Sequence, residues 1–246
     1  MASPSVAVIV PTYNERENLD PLVRSLLGLP LDLRVIVVDD ASPDGTGAVA
    51  DALARETGRV DVIHRPGKLG LGTAYAAGFG RAMELGASYV VTMDADFSHN
   101  PSYVPSLVAQ ANSYDLVIGS RYVAGGGVRC WGWHRRILSW GANAVARLAL
   151  GLRAHDCTAG FRCYRQDALR RLDLAAVKAD GYSYLIEVLF LCQHAGFRIG
   201  EVPIIFVDRR MGRSKISRQE IFKAGWTVMR LMIRRIRSAR RVVRAR

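Results

Sequence analysis

The chain has 246 residues, room for one large α/β domain or at most two small ones, and its 50% hydrophobic and 23% charged composition excludes disordered, collagenous and disulfide-scaffold classes. Its 34 Lys+Arg against 22 Asp+Glu give a net charge of +12, which points to a polyanionic partner: nucleic acid, an acidic membrane face or a phosphorylated substrate. Cys130, Cys157, Cys163 and Cys192 have neither Cys-x-x-Cys nor metal-ligand spacing and read as buried, reduced thiols of a cytosolic protein.

Val6 to Val10 is an apolar run stopped by Pro11 and reads as a buried strand. It is too short for a secretory signal, and no stretch reaches about 18 uncharged residues, so no spanning helix is expected. Asn14 and Glu17 fit a capping box for a helix carrying Leu19, Leu22, Val23, Leu26 and Leu27, which stops at Gly28 and Pro30. Val35 to Val38 is a second strand, ending in Asp39-Asp40; Asp44 or Thr46 then opens a helix with Val49 and Leu53 that stops at Gly58. Val60 to Ile63 is a third strand, and the loop Gly67-Lys-Leu-Gly-Leu-Gly72 leads into another helix. Tyr89 to Met93 is a fourth strand, ending in Asp94-Ala-Asp96, and Leu116 to Ile118 a fifth. This alternation predicts an α/β, doubly wound, mostly parallel sheet with helices on both faces, its ligands lying beyond the carboxyl ends of the strands.

The second half is less regular. A glycine run at Gly125 to Gly127 and a Trp/Arg-rich stretch precede a helix from about His134 to Leu150, and Asp156 to Tyr164 has no clear period. A helix near Tyr184 to Ala195, one apolar strand from Val202 to Val207 and a polar loop from Asp208 to Ser217 follow. No linker marks a second domain, so residues 1–217 are expected to form one unit and 218–246 a basic helix appended to it.

Thr12 to Glu15, Asp39-Asp40 and Asp94/Asp96 each follow a predicted strand and should meet at one rim. Alternate side chains of an extended segment share a face, so Asp94 and Asp96 can converge on a hard cation, Mg2+ or Mn2+, that keeps coordination sites for a diphosphate. The same carboxylates would repel a diphosphate without that cation and nearby positive side chains; Arg121, Arg209, Arg210, Arg213 and Lys215 are candidates. The glycine loop matches neither the dinucleotide fingerprint, since residue 75 is Tyr, nor a P-loop, which speaks against a dehydrogenase. The acidic rim and the lack of zinc-finger spacing or an RNA-binding signature speak against nucleic acid. The basic excess lies instead in 218–246, where Arg230, Arg234, Arg237, Arg241 and Arg244 make a cationic stripe and Phe222, Trp226, Met229, Ile233 and Ile236 an apolar one. Such a basic amphipathic helix suits the headgroup layer of an anionic membrane.

Seven motifs stand in order: Pro11-Thr-Tyr-Asn-Glu-Arg-Glu-Asn-Leu19, Val38-Asp-Asp-Ala-Ser-Pro-Asp-Gly-Thr46, Leu69-Gly-Leu-Gly-Thr-Ala-Tyr75, Met93-Asp-Ala-Asp-Phe-Ser-His99, Gly119-Ser-Arg-Tyr122, Asp156 to Arg162, and Val202-Pro-Ile to Gly212-Arg-Ser-Lys215. With them the chain resembles the family-2 glycosyltransferases, and among these the dolichyl-phosphate or polyprenyl-phosphate mannosyltransferases. The resemblance implies a GT-A (Rossmann-like) fold, a GDP-mannose donor, a divalent cation and inverting transfer of mannose to a polyprenyl phosphate lipid. It places Pro11, Tyr13, Glu15, Val38, Asp39 and Asp40 at the nucleotide and Asp94, Ala95 and Asp96 at ribose, diphosphate and metal, with Asp96 the first choice for the ion. Members often carry Gln where this chain has Ser98. Arg209 and Lys215 would clamp donor phosphates, and Arg121, Arg135 and Ser139 the acceptor phosphate. Asp156 is a weaker catalytic candidate, because a phosphate oxygen is already anionic and needs no general base. The same fold acting on UDP-glucose, and a non-catalytic nucleotide-sugar-binding module, are the alternatives. Some relatives append spanning helices or use a small membrane subunit; here peripheral attachment to the cytoplasmic face through 218–246 is expected, with an anchoring subunit as the other route.

Overall fold

A computed structural model describes residues 6–174, 177–179, 181–208 and 218–244. Its first half alternates β1 (Val6–Thr12), α1 (Arg16–Leu27), β2 (Leu33–Asp39), α2 (Thr46–Thr57), β3 (Val60–His64), α3 (Leu71–Glu84), β4 (Tyr89–Thr92), α4 (Val104–Gln110) and β5 (Leu116–Ser120). Then come β6 (Gly127–Arg129), α5 (Trp133–Leu150), β7 (Arg162–Arg165), α6 (Gln166–Arg170), α7 (Tyr182–His194), β8 (Ile199–Pro203), β9 (Ile205–Val207) and α8 (Arg218–Arg244).

Side chains alternate across the central strands, and because helices cover both faces both sets are apolar. Val6, Val8 and Val10 pack with Leu19 and Leu22 of α1, Leu53 of α2 and Leu107 of α4. Ala7 and Ile9 pack on the other side with Tyr75 and Phe79 of α3 and Leu189 of α7. Helix α3 lies so close to β1 that a Cβ at Gly78 would stand 2.5 Å from Ile9 Cγ2, which is why glycine occupies that turn.

The large sheet has the order β3-β2-β1-β4-β7-β5-β8. Strands β1 to β4 are mutually parallel where they pair, with Ile9 beside both Ile36 and Thr92. The chain therefore winds outward from β1 to β3, then returns to place β4 on the other side of β1. That reversal opens a crevice beyond the carboxyl ends of β1 and β4. Strand β7 runs antiparallel to both β4 and β5. Its entry loop, Asp156 to Phe161, consequently lies at the same end as the carboxyl ends of its neighbours.

Several local expectations are corrected. Asn14 makes no capping box: it has φ of 60°, and Glu15 takes the cap position without a side-chain cap bond. The apolar run Val202 to Val207 is two strands: Ile204 N still donates to Ser120 O of β5 at 3.0 Å, while its carbonyl accepts from Gly127 N at 3.0 Å, so the chain passes over to β6 there and β9 leaves the large sheet. Cys157, Cys163 and Cys192 are buried thiols, but Cys130 is exposed.

Helix α8 is laid against the domain. Leu231 is buried in the core, and Arg230 Nη2 donates to Glu187 Oε2 of α7 at 2.7 Å, while Arg235 Nη1 donates to the Ala149 carbonyl of α5 at 3.1 Å. Glu187 also accepts the backbone N–H groups of Lys178 and Ala179, so one buried carboxylate ties α8 to the loop before α7. The apolar stripe expected from spacing is a different face: Phe222, Trp226, Met229, Ile233 and Ile236 are exposed. Neighbouring α5 adds Trp133, Ile137, Trp140 and Leu148 in the same condition.

Candidate active site

Hydrogen bonds knit the loops after β1, β2 and β3 together. Thr12 Oγ1 donates to Asp39 Oδ1 at 2.9 Å, and the Ser42 hydroxyl and N–H donate to the two oxygens of the same carboxylate at 2.6 and 3.1 Å. Asp39 is thus occupied in holding the rim together. Asp40 is the carboxylate left at the crevice. Its Oδ1 lies 3.2 Å from Arg65 Nη1, yet no well-aligned donor reaches that buried oxygen among the described residues. Burial pushes the Asp40 carboxyl above its usual range, with Arg65 pulling the other way. Arg65 is itself buried and held by Thr73 Oγ1 at 2.7 Å.

Tyr13 and Glu15 sit on the turn that follows β1. Lys68 Nζ stands 4.6 Å over the Tyr13 ring, a cation–π contact that brings the glycine loop to this edge. The Glu15 N–H donates to Thr46 Oγ1 at 3.0 Å, and its Oε2 accepts from Asn18 Nδ2 at 2.9 Å. Pro11 is half-buried at the end of β1. Val38 is fully enclosed in the core under α3, so only its backbone can face a ligand.

The turn after β4 carries the paired aspartates. The Asp96 side chain is buried beside Ala95, with Oδ1 accepting the Ser98 N–H at 3.0 Å; Asp94 retains 43% side-chain exposure. Phe97 adopts φ of 59°, in the left-handed region, which tightens the turn. His99, buried behind it, accepts the Asp94 N–H on Nδ1 at 3.2 Å, so the ring proton belongs on Nε2. Burial pushes the imidazole pKa down and favours that neutral form. Gly160 lies beside Asp94 on the β7 side: a Cβ there would be in ordinary contact with Asp94 Oδ1, at 3.7 Å, and with the Tyr75 hydroxyl, at 3.4 Å.

A basic, aromatic wall stands opposite. Arg121 donates through Nε and Nη2 to the two oxygens of Asp156, both at 2.7 Å, and through Nη2 to Thr158 Oγ1 at 2.8 Å. Its guanidinium carbon lies 5.3, 5.6 and 5.5 Å from the rings of Tyr122, Trp131 and Phe206. Burial alone would raise the Asp156 carboxyl, but the charge and hydrogen bonds of Arg121 outweigh it and hold the pKa below the usual range. Asp156 is therefore an ionised anchor rather than a base poised near neutrality. On α5, Arg135 Nη1 donates to Asp208 Oδ2 at 2.8 Å, and Ser139 Oγ accepts the Tyr122 hydroxyl at 2.7 Å. Asn143 ties α5 to the β7 entry loop, donating to Thr158 Oγ1 at 3.2 Å and accepting the Cys157 N–H at 2.7 Å.

The acidic and basic sides are bridged by rings. His99 stacks on Phe161 at 5.0 Å and meets the edge of Phe206 at 5.4 Å, which meets Trp131 at 5.4 Å. Val207 N donates to Ser98 O at 3.4 Å, so the chain reaches Asp208 beside the aspartate turn. Arg209, Arg210, Arg213 and Lys215 lie outside the described residues. Arg65, His99, Trp131, Asn143 and Phe206 are not singled out by the sequence; His99 closes the aspartate motif, Phe206 lies within the last motif and Trp131 in the Trp/Arg-rich stretch, while Arg65 and Asn143 carry no local pattern. Among the described residues no group of three or more metal-ligating side chains occurs, and Asp94 and Asp96 stand on one turn, the first part-exposed and the second buried.

Residues 7–173 match the family model described as Glycosyl transferase family 2. The chain is 47% identical over 240 residues, 96% of its length and 91% of the relative's, to polyprenol monophosphomannose synthase of Mycolicibacterium smegmatis. It is 47% identical over 212 residues, 86% of its length and 87% of the relative's, to undecaprenyl-phosphate mannosyltransferase of Micrococcus luteus. Among solved structures it is similar to glucosyl-3-phosphoglycerate synthase from Mycobacterium tuberculosis in complex with Mn2+, UDP and glucosyl-3-phosphoglycerate, with a TM-score of 0.61, 20% identity, and coverage of 95% of this chain and 80% of the other. A mannosyltransferase from Pyrobaculum calidifontis in complex with GDP-Man and Mn2+ gives a TM-score of 0.62 at 18% identity, over 96% of this chain and 65% of the other. At such identities the likeness is one of fold, and that fold is GT-A, as expected.

Proposed function

Because the chain belongs to glycosyl transferase family 2, we propose that it transfers mannose from GDP-mannose to a polyprenyl phosphate, with inversion at the anomeric carbon. The observation that carries this is the pairing of an acidic crevice at Asp40, Asp94 and Asp96 with a wall bearing Arg121 and Arg135. Helix α5 supplies Arg135 to that wall while its other side is exposed and apolar, which suits a substrate whose phosphate is polar and whose tail is not. The relatives at 47% identity favour mannose and a prenyl carrier over UDP-glucose.

Tyr13, Glu15 and Asp40 then take the nucleoside, the buried Asp40 oxygen accepting N–H groups of the base. Asp94 and Asp96 would hold Mg2+ or Mn2+, which neutralises charge on the diphosphate. Arg121, aimed by Asp156, and Arg135 bind the acceptor phosphate beside the sugar. An acceptor phosphate oxygen attacks the anomeric carbon, the bond from that carbon to the diphosphate oxygen breaks, and GDP departs with the electron pair. No proton has to be removed, so the reaction asks no general base of Asp156, whose carboxyl Arg121 holds below its usual range. Arg209 and Lys215 are assigned to the donor phosphates from the motif that contains them. Radiolabelled GDP-mannose incubated with undecaprenyl phosphate tests the function: label should enter the organic phase with release of GDP. Label from UDP-glucose but not GDP-mannose, or GDP release without lipid labelling, contradicts it.

No helix among the described residues is long and apolar enough to cross a membrane. Peripheral attachment is assigned to the exposed faces of α5 and α8, where Trp140 and Trp226 are 64% and 65% exposed. Tryptophan favours the headgroup boundary and arginine the anionic surface. Replacing both tryptophans by serine should weaken binding to phosphatidylglycerol vesicles by at least about tenfold, since each removes a large apolar contact. The melting temperature should not change, because both are exposed. Equal sedimentation of the variant would remove these two side chains from the attachment.

A further inference from the structure

Trp131 lies between β6 and α5, at the meeting point of the two arginines assigned to the acceptor. The Arg135 guanidinium carbon is 4.2 Å from its ring centroid and that of Arg121 5.6 Å. The edge of Phe206 fixes the ring from another side. Its indole Nε1 is buried and has no hydrogen-bond partner among the described residues, and the same holds for Arg135 Nε. Both atoms only donate. Two buried donors on side chains in contact, neither with an acceptor, call for a ligand that brings oxygens, because unmade buried hydrogen bonds are rare and costly.

The start of α5 lies in the same place. Gly132 caps that 18-residue helix without a side-chain bond, so its N-terminal end adds positive potential to the two orphaned donors. The charges nearby are partly spent, Arg121 on Asp156 and Arg135 on Asp208. An uncharged donor adds a hydrogen bond that those carboxylates do not compete for through charge.

We infer that the Trp131 indole N–H donates a hydrogen bond to the phosphate of the acceptor lipid, making Trp131 a binding residue that selects a prenyl phosphate over the corresponding alcohol. This rests on the proposed mannosyl transfer, and the test separates the two. In the 15N-labelled protein the Trp131 indole N–H resonance is identified as the one missing from Trp131→Phe. It should move downfield on titration with undecaprenyl phosphate in detergent, move in the same direction with millimolar inorganic phosphate, and stay in place with undecaprenol. In turnover assays Trp131→Phe keeps the aromatic contacts but lacks the donor. Its KM for undecaprenyl phosphate should rise about 10- to 100-fold, the loss of one hydrogen bond to a charged group, with KM for GDP-mannose unchanged. An indole resonance indifferent to undecaprenyl phosphate, an equal response to undecaprenol, or an unaltered KM in the variant each overturns the inference. A wild-type protein that transfers no mannose defeats the function instead, while the indole titration, which needs no turnover, still reports on Trp131.

Discussion

Asp96→Asn is expected to lower the turnover of mannosyl transfer by at least about 10²-fold, the scale seen when one group that stabilises developing charge is removed. The substitution isolates charge from shape. Asp96 is nearly enclosed and uses Oδ1 to accept the Ser98 N–H. Asparagine keeps that oxygen, so the turn after β4 and the melting temperature should hold. What disappears is a full negative charge at the point assigned to the cation. The check is twofold: kcat for label transfer, and the stabilisation of the protein by GDP with and without Mn2+. Wild type should melt higher with both together than with GDP alone, and the variant should lose that increment. Undiminished turnover would remove Asp96 from the site.

Asp156→Ala should have the largest effect on stability. Arg121 is almost fully enclosed, with 8% side-chain exposure against 0% for Asp156, and the two share a bidentate contact at 2.7 Å. Removing the acid takes the bidentate carboxylate from a buried cation, at a cost of about 3–5 kcal/mol. In a chain of this size that lowers the melting temperature by roughly 6–20 °C. Activity should fall with it, because Arg121 loses the partner that aims its fork. Replacing both members, Asp156→Leu with Arg121→Met, should recover much of the stability and none of the activity, which separates folding from function.

The same pair sets a pH dependence. The folded Asp156 carboxyl titrates below its unfolded value, burial opposing and Arg121 prevailing. Its contribution is therefore complete above about pH 4, the unfolded carboxyl value, and is lost as the pH falls through the lower folded value. Urea unfolding at pH 7 should show the full gap between wild type and Asp156→Asn, and the gap should narrow progressively below pH 4. A gap that widens on acidification would contradict the ionised assignment.

The strands β1, β2, β3, β4 and β5 were legible because each is a short apolar run ended by a polar cluster, a pattern contained within a few residues. The acidic rim was legible for the same reason: Thr12 to Glu15, Asp39-Asp40 and Asp94/Asp96 follow their strands directly. Sequence spacing could not divide labour between adjacent aspartates. Asp39 and Asp40 differ in that one meets Thr12 and Ser42 and the other Arg65, and those partners come from other loops. Spacing marks α8 as amphipathic but does not say which face docks: that face holds Leu231 and Arg230, and the apolar stripe is the one left exposed.

The amino-acid order alone determined a doubly wound α/β architecture, an acidic carboxyl-end rim and a basic amphipathic terminus, because these depend on local period and on strands alternating with helices. Only the tertiary structure decided what faces the rim. Strand β7 enters antiparallel and carries Asp156 to the crevice end, while the β6–β9 pair brings Trp131 and Phe206 to Arg121. Pairing direction and the meeting of residues 121, 131 and 206 depend on long-range packing, for which no short-range periodicity exists.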